Sequence, residues 1–365
     1  TSGSTGPSKQ VIHSAYSMIG VVYQMNFYGA SDKFRPTWLV TVLPPCLVAV
    51  VVSMMLLPLS SNKLLILDPF CRPEDIDIEM MHYHPNCWPL IPMFVDILMH
   101  SPRIPKDYDM SHLLAAGAGC EAMNNTQLRA AQQFLYDHNC HVTFTVGYGC
   151  SEAGSNITMP MSTDPIQNGN SGIPMPLISV GVFKPGTQEE LGYGHVGELC
   201  RTGPGNMIGY DTPEATAKAL QRHADGKVWL HLGDLGYITE NGVIYALTRG
   251  HSPRYGGGDL ALQPMENLVA EANIKGLKDE FFVTIPDREH AGCFLPYLYV
   301  VLENGYELAD VEEKIRAALD DFMQPVEINV LKKRPFFHFK TNRIGLSKEL
   351  IAKQNNQSYQ RAVNE

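Results

Sequence analysis

Three separated groups of residues in this chain have types and spacing suited to chemistry on anionic groups. The first is Thr1-Ser2-Gly3-Ser4-Thr5-Gly6-Pro7-Ser8-Lys9. Small residues let backbone N–H groups approach phosphate oxygens, hydroxyls add donors, and Lys9 adds a point charge. The segment lacks the Gly-Lys-Ser/Thr ending of a Walker loop. By composition alone it reads equally well as a flexible linker. The second group is Gly147-Tyr148-Gly149-Cys150-Ser151-Glu152, where a hydroxyl and a carboxylate follow a glycine turn. The third is the segment Trp229 to Tyr237, which carries Asp234, with Arg249 beyond it. Charged groups near a site usually have partners there.

The elements around these groups indicate how they are positioned. His141 to Val146, "HVTFTV", predicts a strand that ends in the Gly147–Gly149 turn. A strand, glycine turn, hydroxyl and carboxylate in succession place polar groups at the C-terminal edge of a sheet. Before it, Asn124 and Asn125 can cap a helix with Leu128, Ala131 and Leu135 on one face. The early chain alternates short apolar runs with helix-like stretches, which predicts α/β layers. From 172 to 248 Gly and Pro recur between short runs such as "ISVGVF" and "VGELCRTG", predicting a β-rich subdomain. Val243 to Leu247 reads as a further strand, and Arg249 to Gly258, "RGHSPRYGGG", as a hinge or linker. Beyond it come predicted strands at Phe281–Ile285 and Tyr297–Leu302. A helix follows with Val311, Ile315, Leu319 and Phe322 on one stripe. The organisation expected is a large domain over 1–249 and a small one over 250–365.

Composition sets bounds on function. The chain has 365 residues, 44% hydrophobic and 18% charged, enough for one large and one smaller globular domain. Its net charge of −10, without a basic stripe, argues against nucleic acid or an anionic membrane as partner. The eight cysteines show no CxxC pair and no clustered Cys/His spacing, which reads as reduced thiols in a cytoplasmic protein rather than disulfides or a zinc site. His82-Tyr83-His84 offers two imidazoles without further spaced ligands and is not read as a metal site. The apolar run Leu47–Leu57, "LVAVVVSMMLL", is too short to span a bilayer and predicts a buried helix or strand. No signal-peptide pattern is visible.

Taken in order, the motifs resemble the AMP-forming, adenylate-forming ligase family of acyl-CoA ligases, adenylation domains and luciferase-like enzymes. Thr1–Lys9 is similar to that family's TSG[ST]TGxPKG loop, and Tyr148–Glu152 to its YGxTE. Gly197-Glu198-Leu199, Gly203-Pro204 and Gly209-Tyr210 resemble GELxxxGPxxxxGY. Trp229–Tyr237 resembles WxxTGDxG, Asn241-Gly242 with Arg249 the DGY…GR segment, and Pro264-Met265-Glu266 the PxEIE after the hinge.

The resemblance implies a partial large α/β domain with a β-rich subdomain, plus a small α+β lid. It implies an acid–thiol ligase that uses ATP, Mg²⁺ and coenzyme A. A carboxylic acid becomes an acyl-adenylate, pyrophosphate leaves, and a thiol takes the acyl group, with the small domain rotating between the half-reactions. The alternatives are loading of a carrier-protein thiol, or a degenerate homologue that binds nucleotide without turnover.

By the same resemblance, Thr1, Ser2, Gly3, Ser4, Thr5, Gly6 and Lys9 hold the β- and γ-phosphates, and Ser151 contacts the α-phosphate. Glu152 holds Mg²⁺, Tyr148 flanks adenine, Asp234 accepts from the ribose hydroxyls, and Arg249 binds ribose or phosphate. Gly257 and Gly258, with Gly256, admit the pantetheine arm. The acid pocket draws on Phe94, Gly117, Gly119, Gly147 and Gly149. With no acidic partner for an ammonium in view, the expected substrate is an aliphatic or aromatic acid.

The chain departs from the family at several points. Arg343 stands where the C-terminal catalytic lysine is expected, with Lys340 nearby, so slow adenylation and a better preserved thioester step are expected. Leu43-Pro44-Pro45-Cys46-Leu47 lacks the aromatic and histidine of LPxFH, and Leu232 replaces the threonine of TGD. Family members also carry a substantial region ahead of the phosphate loop. The expectation is therefore the C-terminal portion of a ligase, with a loop poorly held by this chain alone.

Overall fold

The computed structural model describes residues 1, 9–27, 36–68, 70–159, 170–249, 254–255, 258–259, 262–290, 293–337 and 339–364. The chain divides into two compact units, one built on 9–123 and 127–246 and the other on 247–365.

The first unit opens with helix α1 (Ala15–Asn26), started by a capping box in which Ser14 and Ser17 satisfy each other's backbone N–H groups. A five-stranded parallel sheet follows. In chain order its strands are β1 (Thr37–Thr41), β2 (Leu64–Asp68), β3 (Cys87–Leu90), β4 (Ala115–Ala118) and β5 (Phe144–Val146), and in space they run β2-β1-β3-β4-β5. Leu39, Val40, Trp88 and Leu90 are buried, as a parallel sheet between helical layers requires. Helix α2 (Pro92–Met99) begins with proline at its first position, where no N–H is needed. Helix α3 (Asn125–Asp137) buries the predicted Leu128, Ala131 and Leu135.

The apolar run Leu47–Leu57 is helical, not extended, and its middle winds wide enough for Leu57 N–H to reach Val52 O. Its polar residue, Ser53, sits 2.5 Å from the Ser155 hydroxyl and 3.1 Å from Asn156 Oδ1. The predicted strand 141–146 is shorter than expected. On its free edge, Gln132 of α3 donates to Val142 O (3.1 Å) and accepts from Phe144 N–H (2.7 Å), so a side chain caps the backbone groups that no neighbouring strand among the described residues pairs.

The β-rich part of this unit is antiparallel. Its strands are β6 (Ser179–Phe183), β7 (Gly197–Thr202), β8 (Leu220–Arg222), β9 (Val228–Ile238) and β10 (Ile244–Arg249), ordered β6-β7-β9-β8 with β10 also on β9. Val182, Leu199, Leu230, Leu232, Ile238 and Ile244 form its core. Leu232 is thus a packing residue in this cluster.

The second unit has strands β11 (Leu277–Pro286), β12 (Phe294–Leu302) and β13 (Ile328–Leu331), with helices α4 (Leu262–Glu271), α5 (Leu308–Ala317) and α6 (Arg343–Asn364). The run Phe281 to Ile285 is buried on both faces of the sheet. Phe282 joins Met265, Val269, Val311 and Ile315 on one side, while Phe281, Val283 and Ile285 meet Leu346 and Leu350 on the other. Each such aromatic or aliphatic side chain contributes about 1.5–3 kcal/mol by leaving water. Among the described residues no helix is long and apolar enough to cross a membrane.

Two glycines are set by close approach. A Cβ on Gly117 would lie 2.5 Å from Thr145 O, and one on Gly149 would lie 2.0 Å from Ser155 O. Gly149→Ala is therefore expected to cost about 1–3 kcal/mol or more through overpacking. Urea unfolding checks this, and an unchanged midpoint contradicts it.

Candidate active site

The site begins where β4 and β5 end. Gly147 N–H donates to Ala118 O (2.9 Å) and Gly119 N–H to Leu90 O (3.1 Å), which carries the sheet's hydrogen bonding to its C-terminal edge. Gly119 and Gly147 have room: added Cβ atoms would come no closer than 3.8 and 3.9 Å to other atoms. Gly117 and Gly149, by contrast, are glycines because neighbouring backbone demands it. Phe94 is 1% exposed and packs inside α2's buried face.

After Gly147 the chain forms a small hairpin in which Gly149–Cys150 pairs with Ser155–Asn156. A short turn at Ser151–Ala153 follows, closed by Gly154 N–H on Ser151 O (3.1 Å). The turn presents Glu152, 7% exposed, whose Oε1 accepts the Tyr210 hydroxyl at 2.6 Å. Tyr210 is brought there by an antiparallel pair, Val11–Ile12 with Gly209–Tyr210. That pair also brings in Lys9, whose Nζ lies 4.8 Å over the Tyr210 ring. Lys9 N–H donates to Thr1 Oγ1 (2.9 Å). Ammonium, phenol and carboxylate, from three distant stretches of sequence, therefore follow one another.

A second pair lies on the same unit. Tyr148 OH donates to Asp234 Oδ2 at 2.7 Å, and Asp234 is 7% exposed. Asp234 reaches this position through a bulge. Along β9 the register against β7 slips between His231 and Leu235, and Gly233 takes φ +68°, a conformation that favours glycine. The Gly-Asp order is thus a backbone requirement followed by a buried, hydrogen-bonded carboxylate.

Other residues assigned to the site by motif resemblance are not among those just described. Ser2, Gly3, Ser4, Thr5 and Gly6 fall outside the described residues, as does Gly257. Arg249 ends β10, and Gly258 pairs with Tyr255 in a two-residue hairpin. In the second unit Arg343 begins α6. Its Nε donates to Phe282 O (3.0 Å) and a terminal nitrogen to Glu266 Oε1 (2.7 Å). Glu266 Oε1 also accepts Phe282 N–H (2.9 Å). Lys340 sits opposite Phe337 in a short hairpin.

Three contributors escaped the motif reading. Tyr210 was legible only as part of a Gly-Tyr pattern, with no hint that its hydroxyl meets Glu152. His13 Nε2 lies 2.7 Å from Ser151 O, which makes that nitrogen the protonated one. Arg201, 0% exposed, donates from Nη1 to Ala153 O (3.0 Å) and from Nη2 to Pro204 O. Burial pulls the Arg201 guanidinium down to about 10, still protonated at neutral pH. A signal for Arg201 existed, since period-two alternation along β7 sets it on the same face as the core residue Leu199.

Removing the guanidinium would strip the buried Ala153 carbonyl and the part-buried Pro204 carbonyl of a donor, at about 1–3 kcal/mol for the buried one. Arg201→Met is expected to show a loss in that range on urea unfolding. Arg201→Lys should recover only part, because an ammonium lacks the planar fork. No change in stability would mean that other donors serve these carbonyls.

With this geometry in hand, likeness to known proteins is informative. Residues 1–211 match the model of a family described as AMP-binding enzyme. A probable CoA ligase, CCL5, of Humulus lupulus is 28% identical over 317 residues, covering 85% of this chain and 55% of that protein. A 4-coumarate–CoA ligase of Vanilla planifolia is 26% identical over 333 residues, covering 86% and 56%. The chain thus spans about half the length of these curated relatives. The crystal structure of ATP-bound MatB from Rhodopseudomonas palustris superposes with a TM-score of 0.80 at 22% identity, over 96% of this chain and 67% of that one. The fold is that of the adenylate-forming ligases, and the chain belongs to the AMP-binding enzyme family.

Proposed function

We propose that this chain carries the catalytic groups for ATP-dependent activation of a carboxylic acid as an acyl-adenylate, followed by transfer of the acyl group to the thiol of coenzyme A. The observation that carries this reading is the line of Lys9, Tyr210 and Glu152 beside the Tyr148–Asp234 pair. Attack of a carboxylate on the α-phosphorus brings two anions together, so catalysis is mostly alignment and charge neutralisation. Lys9 supplies a cation, with Thr1 and the hydroxyls of Ser2, Ser4 and Thr5 completing the phosphate loop. Ser151 would meet the α-phosphate. Asp234, oriented by Tyr148, would accept from the ribose diol, and the Tyr148 ring would flank adenine.

Glu152, with the Tyr210 hydroxyl on its Oε1, offers hard oxygen donors that fit Mg²⁺. When bound there, the ion would offset phosphate charge. The acid's tail would lie by Gly119 and Gly147, where the sheet edge leaves space. The relatives named 4-coumarate–CoA ligase favour an aromatic acid. A thiolate then attacks the adenylate carbonyl and AMP leaves.

The Arg343–Glu266 ion pair favours a second reading, in which nucleotide is held and turnover is weak. The two readings are separated by measuring ATP binding beside AMP release that requires both acid and coenzyme A. The ligase reading expects thiol-dependent AMP release. Glu152→Gln should lower it about 10²–10³-fold, as loss of one electrostatic stabiliser does. Asp234→Asn should raise the ATP KM about 10–100-fold, the equivalent of a charge-assisted hydrogen bond. ATP binding without AMP release from any acid would favour the second reading. Release with a carrier-protein thiol alone would move the acceptor from coenzyme A to a carrier.

Arg343→Lys is expected to speed pyrophosphate-releasing activation roughly tenfold, about 1.4 kcal/mol, by restoring a compact ammonium. Single-turnover kinetics of adenylate formation would show it. An unchanged rate would remove Arg343 from the first half-reaction.

A further inference from the structure

The cysteines and histidines show no metal-binding spacing in sequence, yet the β-rich part gathers a set of them in space. Cys200 of β7 and His231 of β9 are direct cross-strand partners, and Glu198 is two residues before Cys200. Glu198, Cys200 and His231 each offer one ligand atom, and these atoms lie within 4.8 Å of one another. His231 Nδ1 is 3.0 Å from Glu198 Oε2. The other ring nitrogen of His231, Nε2, is 3.0 Å from His223 Nε2. His223 is held by the β8–β9 turn, where its N–H donates to Lys227 O and its carbonyl accepts Gly226 N–H, both at 3.0 Å.

The cluster is enclosed. Cys200 is 0% exposed, and the side chain of His231 is 6% exposed. Phe183 and Trp229 wall it in, with ring centroids 4.8 and 5.7 Å from that of His223.

We propose that Glu198, Cys200 and His231 form a buried binding site for a transition-metal dication of the zinc class, with His223 as the residue that orients His231. The donor set is mixed oxygen, sulfur and nitrogen, which suits Zn²⁺ and is foreign to Mg²⁺. Zinc bonds of about 2.0–2.3 Å place ligand atoms about 3.2–3.8 Å apart around a tetrahedral centre. Small side-chain rotations bring the present atoms to that spacing, and His231 Nδ1 with Glu198 Oε2 is already close. His231 then binds through Nδ1, while its Nε2–H donates to His223 Nε2. That second-layer hydrogen bond fixes the tautomer and the ring plane. Uptake of the ion displaces the Cys200 thiol proton to solvent, leaving thiolate and carboxylate to balance the dication. The site would clamp β7 to β9 just before the bulge that delivers Asp234.

The test uses the whole chain, freed of metal with a chelator. It is titrated with Zn²⁺ against a chromophoric competitor and with Co²⁺ followed by absorption. With water as the fourth ligand beside the three side chains, the proposal expects one equivalent of Zn²⁺, a thiolate-to-cobalt charge-transfer band and the strong visible bands of four-coordinate cobalt. Cys200→Ser should abolish the charge-transfer band. Glu198→Gln and His231→Gln should each weaken Zn²⁺ at least about tenfold, and His223→Phe about 10–100-fold, the usual range for an orienting partner.

Cys46 and Cys120 are exposed and could bind metal adventitiously. The Cys46→Ser/Cys120→Ser chain must therefore retain both readouts, and it decides the matter even if substitutions within the cluster do not fold. Absence of stoichiometric binding in that chain, or a charge-transfer band that survives Cys200→Ser, would overturn the proposal. It would leave Glu198, His231 and His223 as a hydrogen-bonded chain beside a buried thiol.

Discussion

A single buried guanidinium, that of Arg201, ties down the turn that bears Ser151 and Glu152. Moving a charge such as that of Arg201 out of water costs several kcal/mol, and an apolar side chain in the same strand position would avoid that cost. The partners show what is obtained in return. One end of the fork takes Ala153 O, the residue after Glu152, and the other takes Pro204 O. Met207 N–H then takes Glu152 O at 2.9 Å. The turn bearing Ser151 and Glu152 is thus tied at two successive carbonyls, those of Glu152 and Ala153, to the segment that continues into Gly209–Tyr210. Because Tyr210 pairs with Val11, the same tie extends to Lys9. Carbonyl partners leave the positive charge of Arg201 unneutralised, close behind a turn proposed to face a polyphosphate.

The rest of the site follows from sheet geometry. The parallel sheet ends at Gly119 and Gly147, where backbone polar groups and open space coincide, as at the carboxyl ends of strands in open α/β sheets generally. The β-rich part supplies Asp234 from a different direction, and it does so by breaking its own ladder. A regular strand would alternate Leu232 and Asp234 onto one face. Both are buried here: Leu232 lies in the apolar cluster, and Asp234, beside the bulge at Gly233, accepts from Tyr148, which packs against the same cluster. One strand thereby serves both core and site.

Much of this was legible in the sequence, for physical reasons. The helices at 125–137 and 308–317 carry a period near 3.6 that only a buried stripe explains, and Leu128, Ala131, Val311 and Ile315 are buried in them. Glu152 and Asp234 stood out because the segments that carry them resemble the family's YGxTE and WxxTGDxG motifs. What stayed hidden involves pairings between distant segments. The open edge of strand 144–146 is capped by the Gln132 side chain, which no local pattern announces. Arg201 is easily taken for an exposed strand residue, and Tyr210 for the end of a motif. Leu232 counts as a lost polar contact in motif terms, yet its surroundings are apolar. The Glu198–Cys200–His231 group draws on two strands, so spacing along the chain carries no trace of it.

The central claim is that this assembly activates acids, and exchange of labelled pyrophosphate into ATP by the purified chain measures that step without any thiol. The account predicts exchange that depends on added acid, is supported by aryl carboxylic acids and is not supported by amino acids. ATP bound by the chain with no exchange for any acid, or exchange that proceeds equally without acid, would contradict it.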